Sequence, residues 1–182
     1  MALPSTTYKI ELNLTDIDRS IYQNLRFTVA KHPSETEERL MVRLLAYGLY
    51  AQADEALSFS RGLSDSDEPA LWEHDLGGNL LHWLEVGLPD DRRLIKASGR
   101  AEKVTVLAYG RNVSVWWSGI KDKISRARNV QVYALDAAGT EALAALAERG
   151  MTINLNVQDG TVWASSDKGE ATIEVSHLNA AA

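Results

Sequence analysis

The sequence predicts an α/β fold, in which a mixed β-sheet carries flanking helices and each chain end adds a β-hairpin. Three observations support this prediction. Apolar and polar residues alternate near both ends of the chain, and short apolar runs alternate with helical patterns in its middle. The third is Asp159-Gly160, a dipeptide typical of a two-residue hairpin turn.

One domain is expected over residues 1–182. A chain of 20.1 kDa that is 45% hydrophobic is long enough and apolar enough to bury a single core. Within it we expect a core at about 34–135, with hairpins at 6–31 and 151–178 packed on it.

The N-terminal hairpin is predicted by two runs of period-two alternation, at 10–14 and 25–29, on either side of a polar turn. A helix is then predicted from residue 35 to about Ala53, because Ser34 and Glu37 have the spacing of a capping box. An apolar stripe runs along this helix. Glu38 falls at the edge of the stripe, and two basic side chains are expected to point away from it (Arg39, Arg43).

The middle of the chain alternates between strand and helix patterns. Residues 70–74 suit a strand or one helical turn equally well. The other expected elements are strands at 57–61, 80–88, 104–109 and 130–135, and helices at 91–100, 113–124 and 140–148. In the helix at 91–100, Leu94 and Ile95 are the expected buried residues. Alternation around Asp159-Gly160 predicts the C-terminal hairpin, and Ile173 and Val175 predict one more strand.

Composition excludes several classes of function. The net charge of −6 argues against a protein that coats nucleic acid through its overall charge. The chain has no cysteine, which excludes disulfides, thiol catalysis and cysteine-ligated zinc. No apolar run is long enough to cross a membrane and no signal-peptide pattern is present, so we expect a cytoplasmic protein.

Charge is distributed unevenly along the chain. Residues 31–75 hold four basic and ten acidic side chains, whereas 111–128 hold five basic and one acidic. An acidic zone facing a basic zone could hold a cation and a phosphate. The alternative is two solvated faces with unrelated charge.

Glu85 is the first candidate site residue, because it lies among apolar neighbours near the end of a predicted strand. Such a carboxylate is a metal ligand or catalytic base, or it pairs with an arginine, or it lies at an exposed strand end. If 70–76 pairs with 80–87, Asp67 or Glu68 lies beside Glu85. These carboxylates suit Mg²⁺, or they belong to a solvated loop.

A basic helix face follows Glu85 in sequence. Its four side chains fall within about a 100° arc, and they would bind a phosphodiester or form an ordinary solvated face. They are Arg92, Arg93, Lys96 and Arg100.

Three segments carry a resemblance to a known family: HPSETEER at 32–39, DEPALW at 67–72 and WLEVGLP at 83–89. With them, nearly the whole chain resembles the YaeQ family of bacterial proteins. The resemblance implies a variant of the PD-(D/E)XK nuclease core. It further implies that Mg²⁺ or Mn²⁺ is held by three carboxylates (Glu38, Asp67, Glu85).

The resemblance also implies an activity, the metal-dependent hydrolysis of a nucleic-acid phosphodiester. In the third motif of that superfamily a lysine follows the acid by two positions, where this chain has Gly87. Lys96 is the nearest replacement. The missing lysine favours the alternative, a catalytically degenerate protein that binds nucleic acid or a protein partner. The family has also been linked to transcription elongation.

Overall fold

The structure, a computed structural model, describes residues 3–52 and 56–180. This part of the chain forms ten strands and four α-helices. In chain order they are β1 (Thr6–Asp16), β2 (Ile21–Lys31), α1 (Glu37–Tyr50), β3 (Leu57–Phe59), β4 (Leu71–His74), β5 (Leu80–Val86), α2 (Asp91–Arg100), β6 (Lys103–Ala108), α3 (Val113–Ile120), β7 (Val130–Leu135), α4 (Ala137–Ala144), β8 (Gly150–Gln158), β9 (Thr161–Ser166) and β10 (Gly169–His177). No helix in these described ranges is long and apolar enough to span a membrane.

All ten strands belong to one mixed sheet, with the order β2-β1-β8-β9-β10-β7-β6-β5-β4-β3. The terminal hairpins meet through β1 and β8, which run parallel with Leu12 opposite Ile153. The predicted turn between β8 and β9 is confirmed, because Asp159 and Gly160 both have positive φ, as a type I′ hairpin turn requires. The mixed α/β fold with hairpins at both ends is therefore as the sequence predicted.

The sheet curves around α1, which contacts β1 near one edge of the strand order and β3, β4 and β5 at the other. Residues on most sides of α1 are consequently buried, whereas the sequence predicted burial of a single apolar stripe. The prediction that Arg43 points away from the core was wrong, since its side chain is 5% exposed and bonded to Glu35. α4 packs against α1 and β10 and completes this core.

The ends of α1 differ from those predicted. Thr36 caps the helix by accepting a hydrogen bond from the Arg39 backbone N–H, so Ser34 is not the cap. The helix begins at Glu37 and ends at Tyr50, and its predicted end at Ala53 lies outside the described residues.

Helices α2 and α3 cover the other face of β5, β6 and β7, in a second core that includes Trp83 and Leu94. Ile95 was predicted to be buried and is instead 48% exposed, because Leu94 and Ala97 form the packing side of α2. The helix predicted at 113–124 ends at Ile120, where hydrogen-bonded turns begin. The helix predicted at 140–148 lies earlier, at 137–144.

The segment 70–74, for which the sequence left two alternatives, is a strand at 71–74. It pairs antiparallel with β5, with Leu71 opposite Leu84. This register brings the residues before β4 beside the end of β5. The loop 65–68, Glu85 and the start of α2 are thereby placed together.

Candidate functional site

Glu85 lies one residue from the end of β5, on the α2 side of the sheet. His82 lies on the opposite face, where its ring contacts Tyr50 and Thr105. The Glu85 side chain is 7% exposed, and its Oε1 accepts hydrogen bonds from Arg93 Nε at 2.6 Å and from Trp83 Nε1 at 2.8 Å. Of the alternatives left by the sequence, the structure shows the carboxylate paired with an arginine.

Arg93 reaches Glu85 because α2 begins just after β5. The side chain of Asp90 caps the helix by accepting a hydrogen bond from the Arg93 N–H at 2.7 Å. The Arg93 guanidinium also donates to the carbonyl oxygens of Ser66 and Glu68. This one side chain therefore joins β5, α2 and the loop before β4.

Burial raises the pKa of the Glu85 carboxyl group above its ordinary value of 4.5, and the nearby Arg93 guanidinium opposes that rise. A raised pKa means that the folded protein binds the proton of Glu85 more tightly than the unfolded chain does. The charged form of Glu85 therefore lowers stability at neutral pH.

A pH-dependent stability difference follows for Glu85→Gln. As the pH falls from about 7 through the raised pKa toward the ordinary value, the wild type should gain stability relative to the variant, because only the wild type takes up this proton on folding. Urea unfolding of both proteins between about pH 7 and about pH 5 measures the difference. The expectation would be contradicted if the difference in unfolding free energy between the two proteins did not change with pH. It would also be contradicted if the variant gained stability relative to the wild type at low pH.

Asp67 lies on the outer side of the same loop, where its Oδ1 accepts a hydrogen bond from Lys96 Nζ at 3.0 Å. Both side chains are largely exposed, at 72% and 64%. The hydrogen bond from Lys96 holds the pKa of Asp67 below its usual range. The two predicted residues are thus brought together, as an exposed ion pair.

Glu68 forms a separate ion pair, with Arg61. Its carboxylate accepts hydrogen bonds from the Arg61 backbone at 2.7 Å and from the Arg61 guanidinium at 2.8 Å. The hydrogen bonds from Arg61 hold the pKa of Glu68 below its usual value. Glu68 therefore fixes the loop before β4, while its carbonyl oxygen accepts the bond from Arg93.

Glu38 lies on α1, where its Oε1 accepts a hydrogen bond from Thr140 Oγ1 of α4 at 2.9 Å. Across residues 3–52 and 56–180, no three Asp, Glu or His side chains lie close enough together to hold a metal ion. As placed, the three carboxylates implied by the resemblance (Glu38, Asp67, Glu85) do not fit a shared metal, because each bonds to a different protein partner.

The three predicted phosphate-binding residues (Arg92, Arg93, Arg100) and Lys96, the predicted catalytic lysine, line one cavity of about 270 Å³ beside α2. We call it the α2 cavity. Trp83 also lines it, as do Ser66 and two acidic residues, Asp67 and Asp90. The guanidinium of Arg100 lies over the Trp83 ring at 5.1 Å, and Arg100 also donates to the carbonyl oxygen of Asp67.

Arg39 is a site residue that the sequence analysis did not predict. It lines a neighbouring cavity of about 340 Å³ together with Glu68, Glu85 and Arg93. It also donates to Glu35 at 2.8 Å. The available signal was the four-residue spacing from Glu35 to Arg39, which places the two side chains on one side of a helix.

The chain matches the family model described as "YaeQ protein" over residues 1–175. It is 42% identical over 178 residues to the "Uncharacterized protein YaeQ" of Salmonella typhi and 41% identical over 178 residues to that of Escherichia coli (strain K12). Each match covers 96% of both chains.

Two crystal structures of YaeQ proteins have the same fold. The Xanthomonas axonopodis pv. citri protein superposes with a TM-score of 0.92 at 42% identity, covering 97% of this chain and 99% of that one. The Pseudomonas syringae protein superposes with a TM-score of 0.92 at 45% identity, covering 99% of both. The family model, these relatives and the shared fold together show that the chain belongs to the YaeQ family.

Proposed function

We propose that the protein binds the phosphate backbone of a nucleic acid in the α2 cavity. The observation that carries the proposal is the convergence of four basic side chains from one helix face on a single cavity. Arg92 and Arg100 are exposed, and neither forms a salt bridge with a residue that the structure describes. Such cations bind phosphate without first breaking an ion pair.

The remaining contacts organise the cavity for this task. The Arg93 guanidinium donates a hydrogen bond to Glu85 and lies over the Trp83 ring, so these contacts orient it before a ligand binds. Asp67 competes for Lys96, but that pair is exposed and contributes little free energy. The chain as a whole is acidic, at −6, so we expect contact with a few phosphates at this cavity and weak binding elsewhere.

A salt titration tests this proposal. Labelled DNA and RNA oligonucleotides would be titrated with the full chain between about 50 and 200 mM salt, in EDTA. Two to four phosphate contacts predict that the logarithm of the binding constant falls with the logarithm of the salt concentration with a slope of about −1.4 to −3.6. Arg92→Gln combined with Arg100→Gln should weaken binding about tenfold and make the slope shallower by about one to two.

The matched control is Lys9→Gln combined with Arg26→Gln, which removes two exposed cations outside the α2 cavity. This control should bind as the wild type does. The proposal would be overturned if both double variants lost oligonucleotide affinity equally, or if neither lost any. The proposal would also be overturned if the protein bound no oligonucleotide, and the alternative of a protein partner would then be favoured.

The described arrangement does not favour hydrolysis of the bound strand with Mg²⁺ or Mn²⁺, because Glu38, Asp67 and Glu85 bond to separate partners and share no metal site. The same oligonucleotides incubated with each metal would test it. Metal-dependent cleavage that is lost in Glu85→Gln and Lys96→Ala would establish it. Binding without cleavage under every condition would leave the degenerate, non-cleaving alternative.

A further inference from the structure

A second basic cavity lies at the end of the sheet where β7 begins and β10 ends. Its volume is about 460 Å³, and it is lined by the end of α3, the turns at 121–128, the start of β7, and His177 and Asn179 at the end of β10 and just after it. Trp117, Ile124 and Val130 form an apolar floor. A cavity of this size with an apolar floor is typical of small-molecule sites.

The walls of this cavity are fixed by hydrogen bonds. The side chain of Asn179 accepts a bond from the Val132 N–H at 2.9 Å and donates to the Val130 carbonyl at 2.8 Å. On the other side, the Ala127 N–H donates to the Ile124 carbonyl at 2.9 Å and holds the turn. Hydrogen bonds therefore fix the backbone segments that line the cavity.

Its charge differs from that of the α2 cavity. Lys121 and Arg128 line it, and neither has a salt bridge with any residue that the structure describes. No Asp or Glu is among the lining residues within the same ranges. Two unpaired cations beside an apolar floor favour an organic anion, because the ligand supplies the missing charge and covers the apolar surface.

One wall of this cavity contains an aromatic ring, that of His177. The ring of His177 stacks on the ring of Tyr133, with centroids 4.4 Å apart and planes at 17°. His177 lines the cavity, and the indole of Trp117 lies on its floor. Flat aromatic surfaces bind a planar ring through stacking or edge contacts. The ligand should therefore combine a planar ring with an anion.

We propose that this cavity binds a nucleoside monophosphate. Its phosphate would lie between Lys121 and Arg128, whose two positive charges match a phosphomonoester of about −1.5 to −2 at neutral pH. Its base would lie against Trp117 and the His177 ring. The site is separate from the α2 cavity, and its occupation does not depend on the function proposed above.

Calorimetric titration of the full chain with the four ribonucleoside monophosphates tests the site. At least one should bind saturably, and adenosine and inorganic phosphate should each bind at least about tenfold more weakly, because each supplies only half of the contacts. Arg128→Gln should weaken nucleotide binding about tenfold. Arg126→Gln is the matched control, since this exposed arginine occupies the same turn but does not line the cavity.

Three results would overturn the site. The first is that none of the four nucleotides binds, and the second is that inorganic phosphate binds as tightly as the best nucleotide. The third is that Arg126→Gln weakens binding as much as Arg128→Gln, since the effect would then reflect general charge. The double variant Arg92→Gln with Arg100→Gln should keep nucleotide binding. Its loss would place the nucleotide in the α2 cavity and refute this assignment.

Discussion

Replacing Glu35 by alanine is expected to lower the free energy of unfolding by about 3–5 kcal/mol, the usual cost of leaving one member of a buried ion pair without its partner. The Glu35 side chain is 1% exposed, and its two carboxylate oxygens accept hydrogen bonds from Arg43 at 2.7 Å each. Desolvation already lowers the pKa of the Arg43 guanidinium. Without Glu35 the positive charge of Arg43 would remain buried beside the Ala30 carbonyl and the Phe59 ring.

Chemical denaturation measures this loss, and Glu37→Ala is the matched control. Glu37 lies two residues after Glu35 and is exposed in the first turn of α1, so its removal should cost only about 0.3–1 kcal/mol of helix-dipole stabilisation. Glu35→Leu combined with Arg43→Met should recover most of the stability, since well-packed apolar residues often replace a buried ion pair without loss. A loss below about 1 kcal/mol for Glu35→Ala would contradict the expectation.

The Glu35–Arg43 pair also shows where prediction from sequence stops. The terminal hairpins were predictable, because period-two alternation and the Asp159-Gly160 turn depend on residues close in sequence. The burial of Arg43 was not, because a helical wheel assumes that one face meets the core. α1 contacts both ends of a curved sheet, so the side of the helix that carries Arg43 is also buried. The helical wheel wrongly assigned that side to solvent.

The candidate site was predictable to a similar extent. The proximity of the loop 65–68 to Glu85 followed from the pairing of two adjacent strands, and the structure has that pairing. Which side chains form pairs did not follow, because it depends on the direction of each side chain. Arg93 reaches Glu85 and Lys96 reaches Asp67, although both belong to one basic helix face in the sequence.

Replacing Arg93 by alanine should lower the free energy of unfolding by about 3 kcal/mol, at the lower end of the range for a broken buried pair because Arg93 itself is partly exposed. Glu85 would keep its hydrogen bond from Trp83 but would lose its salt-bridge partner in an apolar setting. The loop before β4 would also lose the bonds to Ser66 and Glu68. Denaturation measures this loss, and Arg92→Ala, an exposed neighbour, should change stability by less than about 0.5 kcal/mol.

A second variant separates the structural role of Arg93 from its proposed contact with phosphate. Arg93→Met combined with Glu85→Met removes both charges and should restore stability to near that of the wild type, because no buried charge remains unpaired. If the α2 cavity binds a phosphate backbone, this stable double variant should still bind oligonucleotides several-fold more weakly, since the oriented guanidinium is gone. A double variant as stable as the wild type that binds just as tightly would instead show that Arg93 acts only by securing Glu85 and the loop.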